Sequence, residues 1–140
     1  MTNSKWKRGA AILEFALAWP VALLLVLGSV QLAVWGAESF AARSAALAGA
    51  RAASADGSNA RAAESVAIRV LAPSLVGARS SAWCPAQGGQ RPRVWVCATE
   101  LGSAIQVDIG GAVPALVPFG PEQGLPLRAH VVVQKEVFTR

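Results

Sequence analysis

An uncharged apolar run near the N-terminus constrains the fold of this chain more than any other feature. Residues 15–37 contain no Asp, Glu, Lys or Arg, and as a helix they extend about 34 Å at about 1.5 Å per residue. A bilayer core of about 30 Å needs about 20 such residues, so this run is long enough to cross a membrane with some tilt. We therefore predict a transmembrane helix over residues 10–37. The 140-residue chain leaves room for one small domain beyond it.

The charge distribution predicts the orientation of this helix. The basic residues Lys5, Lys7 and Arg8 stand just before the apolar run, and the net charge of the whole chain is +5. By the positive-inside rule the N-terminus stays in the cytoplasm and the chain after residue 37 is exported. The other arginines are scattered rather than gathered with aromatic residues into a basic patch, which argues against nucleic-acid binding.

One carboxylate, Glu14, stands at the start of the apolar run, in the sequence AAILEFALA. An ionised acid costs a few kcal/mol at the centre of a bilayer and less near its interface. A conventional secretory signal has no use for this acid, although the Ala-rich sequence after Ala41 offers a cleavage site of the usual type. A plain membrane anchor has no use for it either, unless its side chain reaches the interface.

The sequence after the apolar run predicts more helix. AESFAARSAALAGARAASA is rich in alanine and lacks proline, which favours a helical continuation. DGSN at 56–59 indicates a turn, and Ser58 or Asn59 can cap a second helix over about residues 60–71. Pro73 ends that helix. Residues 38–72 are therefore predicted to form a helical stem on the periplasmic side.

Residues 73–140 are predicted to form a small β-rich domain. Residues 74–93 read as loop, whereas RVWVCAT and SAIQVDIG alternate with period two, as half-buried strands do. GGAVPALVPFGPEQGLP is predicted to be a connection, and LRAHVVVQKEVFTR to be a third and longest strand. The fold class is therefore α+β, with a long N-terminal helix, a short second helix and a small antiparallel sheet packed against that second helix.

Both cysteines, Cys84 and Cys97, fall in the exported part of the chain, where disulfides form. A bond between them closes a loop of about 14 residues and stabilises the fold by about 3 kcal/mol in the chain-entropy model. The alternative is a pair of free thiols. We expect the disulfide, because so small a domain needs a cross-link.

The sequence offers little catalytic chemistry, and we expect no enzyme activity. His130 is the only histidine, it lies among valines in a predicted strand, and the chain has no tyrosine. No nucleophile, phosphate-loop, dinucleotide or paired-carboxylate motif is present, so no metal, cofactor or small-molecule substrate is expected. Trp35 fits an aromatic belt at the membrane interface. Trp83 and Trp95 flank the cysteines and are expected to cover the small core.

A short motif at the start of the chain resembles the class III signal of prepilins. It consists of Lys7-Arg8-Gly9 and of Glu14-Phe15, which stand at the fifth and sixth positions after the glycine. The wider sequence resembles the TadE-like (TadE/TadF) pseudopilins of tight-adherence, or Flp-type, pilus systems. The resemblance is carried by RGAAILEFALAWPVALLLVLGSVQLAVWG and by AARSAALAGARAAS, which comes after it. The specific part of this resemblance covers residues 7–55. It implies that residues 1–9 are a cytoplasmic leader, which a prepilin peptidase removes by cutting between Gly9 and Ala10.

The resemblance also implies a role for Glu14. Cleavage leaves Ala10 with a free ammonium group. As helices bundle in the membrane, this group can pair with the Glu14 carboxylate of a neighbouring subunit. Pairing makes two costly charges tolerable and sets the axial register. The implied protein is a minor pilin or pseudopilin of the bacterial inner membrane, or of the pilus itself. Its implied partners are other pilins, including a Flp-type pilin and TadE-, TadF- and TadG-like proteins, and the pilus assembly platform.

Two other functions stay open at the level of sequence. One is a single-pass membrane anchor that carries a periplasmic sensory or ligand-binding domain. The other is a small secreted enzyme with a conventional signal peptide. The chain is too short to resemble the larger TadG-type proteins.

Overall fold

The structure, a computed structural model, describes residues 4–55, 59–115 and 124–135, with side chains from residue 13 onward. It is α+β, as predicted. The secondary-structure elements are the helices α1 (Ser4–Ser54) and α2 (Ala60–Leu71) and the strands β1 (Ser80–Ala82), β2 (Val94–Leu101), β3 (Ala104–Val113) and β4 (Leu125–Gln134). We call α2 and the four strands, with the loops described between them, the head.

Helix α1 has 51 residues, so it is about 75 Å long. It joins the predicted spanning segment to the predicted stem without a break, and Pro20 lies inside it. The second half is rich in alanine, the residue with the highest helix propensity. Its buried face consists of small side chains, which allow the head to approach the helix axis closely: Ala42, Ala45, Ala46, Ala50 and Ala53.

Helix α2 confirms the predicted second helix. The Asn59 side chain caps it by accepting a hydrogen bond from the Ala62 N–H at 3.1 Å. Its buried residues, Ala63, Ala67 and Leu71, are spaced by four and face α1. At Gly49 of α1 an added Cβ would come within 2.6 Å of the Ala63 carbonyl oxygen, so only glycine allows this close crossing.

The sheet has the strand order β1-β2-β3-β4, and its last three strands are antiparallel, as predicted. The sheet as a whole is mixed, because β1 runs parallel to β2 with Ser80 opposite Val94. The sequence interpretation of residues 74–93 as loop was therefore wrong for Ser80–Ala82. A three-residue edge strand is too short to show an alternating pattern, so this sequence gave no strand signal.

The predicted connection from Gly110 to Pro126 is shorter than expected. Strand β3 continues through Gly110 and Gly111 to Val113, and β4 already begins at Leu125. The glycines serve close packing here rather than a turn, because a Cβ on Gly110 would collide with the Trp95 ring. The predicted third strand extended through residue 140, but residues 136–140 lie outside the described part of the chain.

The core lies between the helices and one face of the sheet. Alternate residues of the three long strands point into it, and Ile105, Val107 and Ile109 share that face as predicted. The buried side chains that β2, β3 and β4 contribute to this core are Val94, Val96, Ala98, Ile105, Val107, Ile109, Val113, Leu127 and Ala129. The sheet therefore packs against both helices, not against the second helix alone.

Cys84 and Cys97 form a disulfide, as predicted. The bond links the chain just after β1 to the middle of β2. Close to it, the carboxylate of Glu64 in α2 accepts a hydrogen bond from the Ala98 N–H of β2 at 3.1 Å. Helix α2 and the two strands at this edge of the sheet are therefore joined by covalent and polar links as well as by apolar packing.

The far end of the head, away from the N-terminus of α1, has its own polar contacts. The carboxylate of Glu100 in β2 accepts hydrogen bonds from the Lys135 ammonium at 2.8 Å and from the Ala60 N–H at 3.2 Å. These bonds hold the pKa of the Glu100 carboxyl below its usual range. The start of α2 and the end of β4 therefore meet at the β2–β3 turn.

Candidate membrane helix and subunit-packing site

Helix α1 falls into two parts that differ in exposure. From Leu13 to Leu27 every side chain is exposed, and nearly all of them are apolar. Within the described residues α1 is the one helix that is long and apolar enough to cross a membrane. The large exposed apolar side chains of this part are Leu13, Phe15, Leu17, Trp19, Val21, Leu23, Leu24, Leu25, Val26, Leu27 and Val30. An apolar surface of this extent needs lipid or other helices to cover it.

Glu14 lies on this exposed part of α1, surrounded along the helix by apolar residues. Phe15 stacks on Trp19, one turn further on, with the ring centroids 6.0 Å apart. The Glu14 carboxylate is therefore available to a partner outside the chain. The proposed partner, the ammonium group of a neighbouring Ala10, stays a prediction.

The residues of the predicted leader and cleavage site lie in the first turns of α1. Ser4 begins the helix, so Lys5, Lys7, Arg8, Gly9 and Ala10 all have helical backbone. Their side chains lie outside the described part of the structure. The predicted cleavage between Gly9 and Ala10 stays a prediction.

Among the described residues, the hydrogen bonds between the head and α1 that lie nearest the N-terminus are those of Gln31 and Trp35. The Gln31 side chain is 7% exposed, and its amide donates a hydrogen bond to the Pro114 carbonyl oxygen at 3.4 Å. The Trp35 indole N–H donates to the Pro126 carbonyl oxygen at 3.0 Å. The end of β3 and the start of β4 therefore lie beside a segment that the sequence assigned to the membrane helix.

Glu38 is a buried anchor between α1 and the loop after α2. Its side chain is 5% exposed and accepts hydrogen bonds from the Leu75 N–H at 3.0 Å and the Val76 N–H at 3.3 Å. Sequence reasoning missed this role, because an acid directly after an apolar run reads as the first solvent-exposed charge. Its position, four residues before the buried side chain of Ala42 on the same face of the helix, was the available signal.

We expect Glu38→Ala to lower the free energy of unfolding of the head by about 1–3 kcal/mol, because two backbone N–H groups lose their acceptor. Glu38→Gln keeps one acceptor oxygen and should cost less. The measurement is thermal unfolding of the full chain in detergent, followed by near-ultraviolet circular dichroism of the tryptophans. Arg69→Ala, which removes an exposed charged side chain from α2, is the control and should have a small effect. Equal effects at both positions would contradict the assigned role of Glu38.

The face of the sheet that points away from the core carries the remaining polar cluster. The His130 Nδ1 lies 2.6 Å from the Asp108 carboxylate, and the Arg91 guanidinium lies over the Trp95 ring. Trp83 meets Trp95 edge to face on this outer face of the sheet, whereas the sequence predicted that both would cover the core. His130 is an exposed residue of β4, within the strand predicted for it.

A groove of about 920 Å³ includes this cluster and extends to Arg43 and Leu47 of α1. Its described lining contains Asp108 and His130 but no Ser, Thr, Cys or Lys side chain. Among the described residues, no three His, Cys, Asp or Glu side chains are grouped so that they can hold a metal ion. The described lining therefore offers an acid–base pair and three arginines, Arg43, Arg91 and Arg128, with no nucleophile beside them.

Comparison with protein-family models finds a match in the N-terminal part of the chain. Residues 9–51, about a third of the chain, match the family model described as TadE-like protein. The comparisons with curated proteins and with solved structures each give no match. The matched segment begins at the glycine of the predicted cleavage site and ends within α1, three residues before its last residue.

Proposed function

Because residues 9–51 are TadE-like, we propose that this protein is a minor pilin or pseudopilin that acts in the assembly of a tight-adherence pilus. The TadE-like family implies a role in pilus assembly and a structural rather than an enzymatic protein. One observation carries the finer proposal. The matched segment is a continuous helix whose exposed apolar part begins with an exposed acid, Glu14.

In this proposal α1 acts by packing against the helices of other subunits. The N-terminus lies in the cytoplasm, α1 spans the bacterial inner membrane, and the head lies in the periplasm. Prepilin peptidase removes residues 1–9, and the new ammonium group of Ala10 pairs with Glu14 of a neighbour. A carboxylate and an ammonium group in lipid are each expensive alone, so their pairing favours association in one axial register.

The proposed partners follow from the same mechanism. The apolar surface of α1 fits the helices of a Flp-type pilin and of TadE-, TadF- or TadG-like proteins, with which it packs in the membrane or in the pilus. The head, held at a fixed place on α1, is available to the assembly platform or to the pilus tip. No nucleic acid, cofactor or small-molecule substrate is part of this function.

Processing gives the direct test of the proposal. Co-expression with the cognate prepilin peptidase should lower the mass of the protein by that of its nine-residue leader and leave α1 attached. Gly9→Leu should block this change, because a bulky side chain replaces the small residue at the scissile bond. The measurement is intact-protein mass spectrometry of the purified membrane fraction.

Gly28→Leu is the matched control, because a Cβ added there meets nothing within 4 Å. It should be processed like the unaltered protein. An N-terminus found beyond Ala41 would instead show a conventional signal peptide and would remove the pilin mechanism.

A further inference from the structure

We propose that the end of the head formed by the last residues of β3 and the first residues of β4 is a membrane-contacting surface. In this arrangement it sits on the lipid headgroups of the periplasmic leaflet. The inference rests on the membrane-anchor part of the proposed function and goes beyond it, because it assigns the head a lipid surface and one orientation.

The first support is where the head meets α1. Pro114 follows β3 directly and Pro126 is the second residue of β4, and their carbonyl oxygens accept the hydrogen bonds of Gln31 and Trp35. Both donors lie within the uncharged run of residues 15–37. The head therefore approaches α1 well before the apolar sequence ends.

The second support is the length of α1 that precedes its described hydrogen bonds with the head. Residues 10–30 make about 21 helical residues, or about 31 Å, which matches a hydrocarbon core of about 30 Å. If the hydrocarbon instead reached residue 37, the exposed irregular backbone at Pro114 and Ala115 would lie in lipid. Irregular backbone that faces lipid is strongly disfavoured there. The hydrocarbon boundary therefore falls at about Gln31, at the level of this end of the head.

The third support is the chemistry of the surface itself. The described residues at this end, 113–115 and 124–127, include no charged side chain, and Pro114, Ala115 and Pro126 are exposed. Trp35 lies beside them, and tryptophan is enriched at the level of the headgroups. The exposed Arg128 follows Pro126 by two residues of β4, about 7 Å along the strand. That distance brings a guanidinium within reach of lipid phosphates when the surface rests on the membrane.

The opposite end of the head gives a built-in contrast. The β2–β3 turn at Gly102 and Ser103 is exposed and meets Lys135 and Glu100, whose charges need water. Strand β3 runs from this turn to Pro114, so the two ends are separated by about ten residues of strand, roughly 33 Å. A measurement of depth relative to the membrane can therefore distinguish the two ends of the head.

The test uses nitroxide labels on single introduced cysteines in the full chain, since the two native cysteines are bonded to each other. Ala115→Cys marks the proposed surface, Ser103→Cys the far end, and Leu23→Cys the middle of the free part of α1. The protein is placed in nanodiscs of phosphatidylethanolamine and phosphatidylglycerol. Electron paramagnetic resonance then compares collisions of each label with oxygen, which concentrates in lipid, and with a water-soluble nickel complex.

We expect the label at Leu23 to report lipid and the label at Ser103 to report water. The label at Ala115 should lie at the interface, where it collides with the nickel complex several-fold less often than the label at Ser103. Near-ultraviolet circular dichroism confirms that each labelled head is folded. If Leu23 reports lipid while Ala115 collides with nickel as often as Ser103, the surface assignment is wrong and the anchor stands. If Leu23 itself reports water, the anchor fails and this inference fails with it.

Discussion

Replacing Glu14 by Ala or Gln should abolish surface pili while leaving membrane insertion and leader removal largely intact. The carboxylate is exposed on an otherwise apolar part of α1, so its loss breaks no described contact within the chain. Insertion should become easier, because the cost of placing an acid near lipid is removed. Association should fail, because the neighbouring Ala10 ammonium is left without a partner, at a cost of about 3–5 kcal/mol in soluble interiors.

The measurements are piliation by electron microscopy, co-purification with partner pilins and the amount of processed protein in the membrane. Glu14→Asp should be intermediate, because it keeps the charge on a shorter side chain. Leu13→Gln is the control, since it adds a polar group at the neighbouring exposed position and keeps the acid. A sensory or ligand-binding membrane anchor predicts silent substitutions at Glu14. Normal piliation by a Glu14→Ala strain with normal protein levels would end the pairing mechanism.

Removal of the disulfide should give the largest loss of stability in the head. Cys84 and Cys97 are 13 residues apart in sequence, and the chain-entropy model gives about 3 kcal/mol for a loop of this size. For a domain of 60–100 residues, about 1 kcal/mol shifts the melting temperature by roughly 4–8 °C. The double variant Cys84→Ser/Cys97→Ser should therefore melt more than about 10 °C below the unaltered protein, as measured by near-ultraviolet circular dichroism.

Reduction supplies the control for this prediction. A reductant should lower the melting temperature of the unaltered protein to that of the double variant, and it should leave the double variant unchanged. The loop between the cysteines should also become more sensitive to protease, because β1 is then held to β2 by its ladder alone. Equal melting temperatures with and without the bond would show that the rest of the core holds this edge of the sheet.

The elements that were predicted correctly are those with a local signal. Helix α2 has a capping residue before it and a proline after it, and β2 and β3 alternate apolar and polar residues. The long helix follows from its apolar run and its alanines. Each of these features depends on a few neighbouring residues, so the sequence shows it directly.

The features that were missed depend on contacts between distant residues. Glu38 meets the backbone of Leu75 and Val76 far along the chain, and Gln31 meets Pro114. Their local sequence is the same whether these side chains are buried or exposed. Gly110 and Gly111 read as a turn because glycine is common there, while their actual role depends on the Trp95 ring and on Val94 across the sheet.

The candidate site likewise has one feature that the local sequence shows and one that depends on distant partners. The sequence pattern around Gly9 and Glu14 identifies a segment that the family model also matches. What that segment touches in an assembly is a property of several chains, so one chain's sequence and structure leave it to experiment. The described structure adds that Glu14 is exposed and that the head leaves the helix free up to about residue 30.

The unbroken course of α1 from Ser4 to Ser54 has a mechanical consequence. After Pro20 the helix contains no further proline, so the apolar segment beyond Pro20 and the head are joined by uninterrupted helix and turn together. A twist or a pull that neighbouring subunits apply to the apolar half is transmitted as torque or tension to the face of the sheet, about 35 Å of helix further on. The close crossing at Gly49 and the buried anchor Glu38 hold the head tightly against α1, so the head follows the movement of the helix. The helix beyond Pro20 and the head therefore cannot rotate independently of each other.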